Sequence, residues 1–172
     1  MRIEFRIGGS GGQGVISAGI ILANAAVQTG LHAIQSQSYG PEARGGTSKA
    51  EVIISDTDID YPKASSPDYL LCLTNESYVA YGKNAAANTE IFVDSTVEVE
   101  DGSRAKKIPI LQTANDINPK SANVVAVAFL SGHSGLINKE NLLEALKEQF
   151  PKFYESNLLC AEAGFKLVKE LA

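Results

Sequence analysis

Cysteine is scarce: two in 172 residues, Cys72 and Cys160, with no C-x-x-C pair. By themselves they cannot hold an iron–sulfur cluster or a four-cysteine zinc site. Both lie in apolar stretches, where a buried and inert thiol is expected. Positive charge is not in excess either. Fifteen Lys and Arg against 20 Asp and Glu leave a formal charge of −5, which argues against a nucleic-acid wrapper or a polybasic membrane binder. No run approaches the roughly 18 uninterrupted apolar residues of a membrane-spanning helix. His32 and His133 stand in no ligand-spaced cluster and no nucleophile elbow, which disfavours a zinc site or a catalytic triad. The acidic turn Asp56, Asp58, Asp60 lacks the Gly and downstream Glu of a calcium loop and reads as solvated. Repeats, low-complexity tracts and linkers are absent, and 172 residues suffice for one well-cored domain but not for two ordinary ones. The expectation is a single domain spanning 1–172, soluble and cytoplasmic, with no nucleic-acid partner and no membrane insertion.

What is present is patterned. Arg2 to Ile7 alternate, with Ile3, Phe5 and Ile7 on one face, as in a strand. Glycines interrupt the pattern up to Gly14, and a helix follows from Val15. Ile16, Ile20, Ala23 and Val27 share one face of it while Val15, Ile21 and Leu22 make the other apolar, so the helix is covered on most sides. Val15 to Val27 also resembles a signal-peptide core, but Glu4 and the preceding glycines favour a buried first helix, ended by Gly30. A strand near Leu31 to Ser36 and a loop over Gln37 to Ser48 lead to a strand at Lys49 to Ser55. That loop is marginal for a parallel crossover, which makes the strand a candidate for antiparallel pairing.

Tyr69 to Thr74 reads as a central buried strand, Glu76 to Lys83 as a short helix and Glu90 to Val93 as a further strand. Residues 95–111 suggest a strand or hairpin turning at Asp101-Gly102. Asn118-Pro119 introduces a helix whose core is Val124 to Leu130, ended by Gly132. Asn138 caps another that stops before Pro151, and Leu158, Ala161, Phe165 and Val168 stripe the last one. The fold class implied is α/β, a Rossmann-like three-layer fold with a mostly parallel or mixed central sheet.

Two loops stand out. Gly9-Ser10-Gly11-Gly12-Gln13-Gly14 sits between a strand and a helix, where backbone N–H groups can approach an anion. It satisfies G-x-G-x-x-G, yet the second strand carries no acid for a ribose: His32 to Ser38 is followed first by Glu42. No Lys follows Gly14, so it is not a triphosphate-binding P-loop. A tight structural turn and an anion or partner contact remain equally open for it. The second loop, Ser38 to Ser48, projects Tyr39, Glu42 and Arg44 from a path set by Gly and Pro. Arg44 can grip a phosphate or carboxylate with two parallel hydrogen bonds, or simply pair with Glu42 on the surface.

The ordered set Gly-Ser-Gly-Gly-Gln-Gly, Gln-Ser-Tyr-Gly-Pro-Glu-Ala-Arg-Gly-Gly, Ser-Lys-Ala-Glu-Val-Ile-Ile-Ser-Asp and Ile-Asp-Tyr-Pro resembles the gamma subunit of the 2-oxoacid:ferredoxin (acceptor) oxidoreductases, the pyruvate/ketoisovalerate oxidoreductase gamma-type catalytic domain. The second loop is closer to the 2-oxoglutarate and branched-chain members than to the pyruvate type. The resemblance implies a non-autonomous subunit that binds no cofactor alone. Alpha and beta subunits, and in some members a ferredoxin-like delta subunit, would carry thiamine diphosphate and iron–sulfur clusters. The complex would convert a 2-oxoacid to an acyl-CoA and pass electrons to ferredoxin or another acceptor. It also implies that Gly9, Gly11, Gly12, Gln13, Gly14, Tyr39, Glu42 and Arg44 dock the partner subunits or contact the phosphate end of coenzyme A. The alternatives are a stand-alone dinucleotide- or flavin-binding protein and a purely architectural assembly domain.

Overall fold

The structure, a computed structural model, describes residues 1–38 and 47–171. A six-stranded sheet runs in the order β2-β3-β1-β4-β5-β6, with β1 at Arg2–Ser10, β2 at His32–Gln37, β3 at Thr47–Ser55, β4 at Tyr69–Cys72, β5 at Glu90–Asp94 and β6 at Lys106–Ile108. β4, β5 and β6 pair parallel in succession from β1. β3 is inserted antiparallel between β1 and β2. The sheet is therefore mixed, and the strand too closely connected for a parallel crossover is the one that reverses.

Alternation on β1 sorts its two faces: Phe5 and Ile7 are buried on one side while Arg6 points to the other. The first face carries the larger core. There the helices α1 (Val15–Gln28), α3 (Ile110–Asn115), α4 (Ala122–Ser134), α5 (Lys139–Gln149) and α6 (Tyr154–Leu171) bury Ile21, Leu22, Ile110, Val127, Phe129, Leu142, Leu146 and Ala161 against Val52, Ile54, Leu71 and Phe92. On the second face a smaller cluster joins Leu70, Cys72, Ile91 and Val93 to Tyr78 and Val97. Tyr78 belongs to a π-helical turn (Tyr78–Gly82) that continues the one-turn helix α2 (Asn75–Ser77).

Several expected elements take a different form. The stretch expected as a helix from Glu76 is that composite of one α turn and one π turn, its start fixed by a capping box between Thr74 and Ser77. Of the strand or hairpin expected over 95–111, the strand is what forms: the chain turns at Asp101-Gly102 and β6 then pairs parallel with β5. Helix α4 passes through Gly132 and ends at Gly135, which adopts φ 69°. Gly132 instead accommodates the Phe165 ring, which a Cβ there would meet at 2.8 Å. In α6 the expected stripe is partly met, with Ala161 in the core and Phe165 and Val168 half-buried against it, while the fully buried positions are Asn157, Cys160, Ala161, Gly164 and Leu167. Gly164 sets that buried line, because a Cβ there would lie 2.5 Å from the Val125 carbonyl oxygen of α4. On α1, Asn24, Val27 and Gln28 are exposed, while the other residues are buried or half-buried, so the helix is covered on most sides as expected.

Candidate functional site

The glycine-rich turn joins the carboxyl end of β1 to α1. Gly12 and Gly14 adopt φ 87° and 71°, left-handed values that favour glycine. Gln13 folds back over the turn. Its side-chain oxygen accepts from the Ser10 N–H at 2.8 Å, and its own N–H donates to the Ser10 carbonyl at 3.3 Å. Gly9 has to be small for this, since a Cβ there would sit 2.6 Å from that amide oxygen. Gln13 therefore shapes the turn rather than extending from it. Gly9, Gly11, Gly12, Gln13 and Gly14 are thus brought together. Tyr39, Glu42 and Arg44 fall outside the described residues, as does the surface pairing of Arg44 with Glu42.

Next to the turn lies a cleft of about 280 Å³, lined by Gly14 and Ser17 at the start of α1, by Asn118 to Val124 at the start of α4, and by Phe150, Phe153 and Asn157 from the α5–α6 connection. Two long helices thus direct their N-termini at one space. At both, the N-cap residue (Gly14 for α1, Ser121 for α4) makes no side-chain cap bond, and neither first turn holds an acidic residue. By contrast α5 is capped by Asn138, with Glu140 in its first turn, and α2 by Thr74, with Glu76. Uncapped N-termini leave backbone N–H groups and the positive end of the helix dipole available to a negative group.

Two buried amides reinforce this. The Asn123 oxygen accepts from the Val124 N–H at 3.0 Å and the Asn157 oxygen from the Ser121 hydroxyl at 3.3 Å. The NH₂ group of each is left without an acceptor among the described residues, although only 7% of Asn123 and 3% of Asn157 is exposed. Both nitrogens keep some accessible surface, so they open to the cleft rather than being sealed in the core. The Asn123 amide lies against Gly14, where a Cβ would meet its nitrogen at 2.7 Å. With Lys120 at the rim and phenylalanine side chains on one wall, the cleft presents donors, a cation and an apolar surface. That combination suits a phosphate attached to a larger, partly apolar molecule.

The cleft residues 118–157 escape a motif reading because they are scattered and individually ordinary. The available signal is the presence of Asn123 and Asn157 in otherwise apolar helical stretches.

Other titratable groups serve the fold. Burial pushes the Cys72 thiol up to about 12 and that of Cys160 upward as well, despite hydrogen bonds from neighbouring groups. At the far end of α4, His133 Nε2 lies 2.8 Å from Glu90, which Lys106 also contacts at 3.1 Å. Burial raises the Glu90 carboxyl, but the hydrogen bonds from His133 and Lys106 outweigh it and hold the group below the usual carboxylate range. Among the described residues no group of three or more His, Cys, Asp or Glu could hold a metal ion, and no helix is long and apolar enough to cross a membrane.

Residues 4–167 match the family described as pyruvate ferredoxin/flavodoxin oxidoreductase. The chain is 40% identical over 183 residues to the 2-oxoglutarate synthase subunit KorC of Methanothermobacter thermautotrophicus, an alignment covering 99% of this chain and 97% of that protein. Its fold superposes on the keto/oxoacid ferredoxin oxidoreductase gamma subunit of Geobacter sulfurreducens with a TM-score of 0.86 and 36% identity, over 99% of this chain and 98% of the other. The 2-oxoglutarate:ferredoxin oxidoreductase of Magnetococcus marinus, solved with 2-oxoglutarate, coenzyme A and succinyl-CoA bound, superposes with a TM-score of 0.87 and 26% identity, over 99% of this chain and 32% of that one. The chain belongs to the pyruvate ferredoxin/flavodoxin oxidoreductase family and is a gamma-type subunit of its 2-oxoacid:ferredoxin enzymes.

Proposed function

We infer that this subunit, acting as one domain in the cytoplasm, helps a 2-oxoglutarate-type enzyme to bind coenzyme A, and that the cleft between α1 and α4 receives the phosphate-bearing end of that molecule. The enzyme as a whole oxidatively decarboxylates the 2-oxoacid, forms the acyl-CoA thioester and passes two electrons to ferredoxin or another acceptor. Thiamine diphosphate and the iron–sulfur clusters belong to the alpha, beta or delta partners. This chain supplies only two cysteines, both buried and not in a C-x-x-C pair, where a cluster takes four cysteine thiolates.

The observation that carries the reading is the pair of buried amides, Asn123 and Asn157, whose NH₂ donors face a cleft already supplied with two uncapped helix N-termini. Donors held in place before the ligand arrives need no reorganisation on binding. Gln13 contributes by fixing the turn, and Gly11, Gly12 and Gly14 by leaving their backbone N–H groups unshielded. Glu42, Arg44 and Tyr39 belong to the same proposed surface, with Arg44 as the anionic contact.

The test is steady-state kinetics on the reconstituted complex. Asn123→Leu is expected to raise the KM for coenzyme A by about tenfold, the equivalent of ~1.4 kcal/mol, with the KM for the 2-oxoacid unchanged. An unchanged coenzyme A constant in an assembled complex overturns the assignment and leaves the architectural role. The absence of an acidic residue in β2 weighs against a stand-alone dinucleotide-binding enzyme.

A further inference from the structure

The sequence contains one Asp-Gly pair, Asp101-Gly102, and no Asn-Gly. An aspartyl side chain can be attacked by the backbone nitrogen of the residue that follows it, closing a five-membered imide. The attack is favoured where the following residue has no side chain, where its N–H is not committed to a hydrogen bond, and where the carboxyl group is free in solvent. Asp101 and Gly102 are both exposed. Gly102 adopts φ 78° in open space, since an added Cβ would meet nothing within 4 Å. Among the described residues, neither the Gly102 N–H nor the Asp101 carboxylate has a partner.

Elsewhere the fold denies these conditions. Asp94-Ser95 is the next least crowded aspartyl pair, yet Asp94 is only 1% exposed. Its carboxylate accepts from the Thr96 and Leu111 N–H groups, and the Ser95 N–H donates to the Ile108 carbonyl. The N–H groups that follow Asn84 and Asn88 donate to the Gly82 and Ala86 carbonyls. Asn75 and Asn138 are held by the Glu98 and Asn141 N–H groups. Asp58 and Asp60 are exposed, but Ile59 and Tyr61 crowd the nitrogens that would attack them.

The turn is anchored on both sides of the reactive pair. The Ser103 N–H donates to the Glu100 carbonyl at 3.1 Å. The buried Tyr78 hydroxyl donates to Glu100 Oε1 at 3.0 Å and lies 2.9 Å from Ser103 Oγ. An extra backbone atom between those anchors must displace one of them.

We propose that Asp101-Gly102 is a modification site at which the folded chain isomerises to isoaspartate, and that the lengthened turn loosens its hold on Tyr78. The Gly102 nitrogen bonds to Asp101 Cγ and gives up its proton as one carboxyl oxygen leaves as water. Water then adds at the Asp101 carbonyl carbon and breaks the bond from that carbon to the Gly102 nitrogen. The product keeps the original mass, carries a free α-carboxylate and has one more backbone atom in the turn. Nothing is oxidised or reduced. That α-carboxylate makes the chain a methyl acceptor for an isoaspartyl O-methyltransferase.

The test ages the full-length chain at neutral pH for several weeks. Isoaspartate is located by peptide mapping and counted by labelled methyl transfer from S-adenosylmethionine with such an enzyme. Position 101 should carry about tenfold more isoaspartate than any other Asp or Asn position. Comparable accumulation at Asn84, Asp58 or Asp94, or none at Asp101, overturns the proposal. Asp101→Glu, which would have to close a six-membered ring, should lose most of the methyl acceptance with an unchanged melting temperature. Retained acceptance in that variant also overturns the site. The isomerised chain should melt below the fresh one, and equal melting overturns the loosening at Tyr78.

Discussion

The two ends of α4 treat their polar groups in opposite ways. At the C-terminal end the charged groups are paired, while the buried Ser131 hydroxyl has no partner among the described residues. His133 bonds Glu90, Glu90 also takes Lys106, and the imidazole is packed by Phe92 at 4.8 Å, Phe129 at 5.8 Å and Tyr69 at 5.7 Å between centroids. At the N-terminal end, Asn123 and Asn157 are more deeply buried than His133, yet neither amide nitrogen has an acceptor among the described residues, and Ser121 makes no side-chain cap bond. The same helix thus closes one end of the sheet with paired charges and leaves donors waiting at the other. Burial alone does not separate structural from functional polar groups; whether an unpaired group opens to a cleft matters too.

Damage at the two ends should therefore read out differently. The largest effect belongs to the closed end. Phe129→Ala removes a fully buried ring that stacks on His133 and meets Phe92 edge-on and should cost about 3–5 kcal/mol of stability, read by urea denaturation. The KM for coenzyme A of whatever complex assembles should stay near wild type, and a selective rise would blur the contrast.

Next comes Gly14→Ala at the open end. The left-handed φ of 71° and the 2.7 Å approach to Asn123 predict a loss of roughly 1–2 kcal/mol of stability. A several-fold rise in the coenzyme A constant should accompany it as the amide is displaced. Stability loss with no kinetic change would make the open end merely structural.

The acid limb sharpens the comparison from the other side. Because the folded Glu90 carboxyl is held below its ordinary value, its contribution to stability is present above the unfolded pKa, about 4.3, and is lost as the pH falls through the folded value. Glu90→Gln should therefore lower the melting temperature at pH 6 and make little difference at pH 3. A constant offset across that range would remove the ion pair from the account of the closed end. The smallest effect is an expected silence: neither Cys72 nor Cys160 should react with a thiol reagent at pH 8 until the chain unfolds, given their burial and raised pKa.

Much of this could be read from the residues. The alternation of Ile3, Phe5 and Ile7, the glycine turn, the all-round apolar α1 and the Asn138 cap are local signals, and local physics decides them. The reversal of β3 was accessible from loop length. Other features were hidden because distant partners set them. Gly132 looks like a helix stop until Phe165 is seen to need its missing side chain, and the inward stripe of α6 is fixed by Gly164 pressing on the backbone of α4. The cleft was least visible, since Gly14, Ser121, Asn123 and Asn157 meet only once three helical segments are packed. The mixed sheet and the gamma-subunit family agree with the expectation drawn from the two loops.

The reversed strand has an evolutionary consequence. Since β3 pairs with β1 so that Thr47 lies opposite Ser10, the connection leaving β2 returns to the sheet beside the glycine turn. A link between adjacent antiparallel strands can gain or lose residues without shifting the register of either, which a parallel crossover cannot do so freely. The glycine turn has no such freedom, because its left-handed glycines and the Gln13 clasp fix its length.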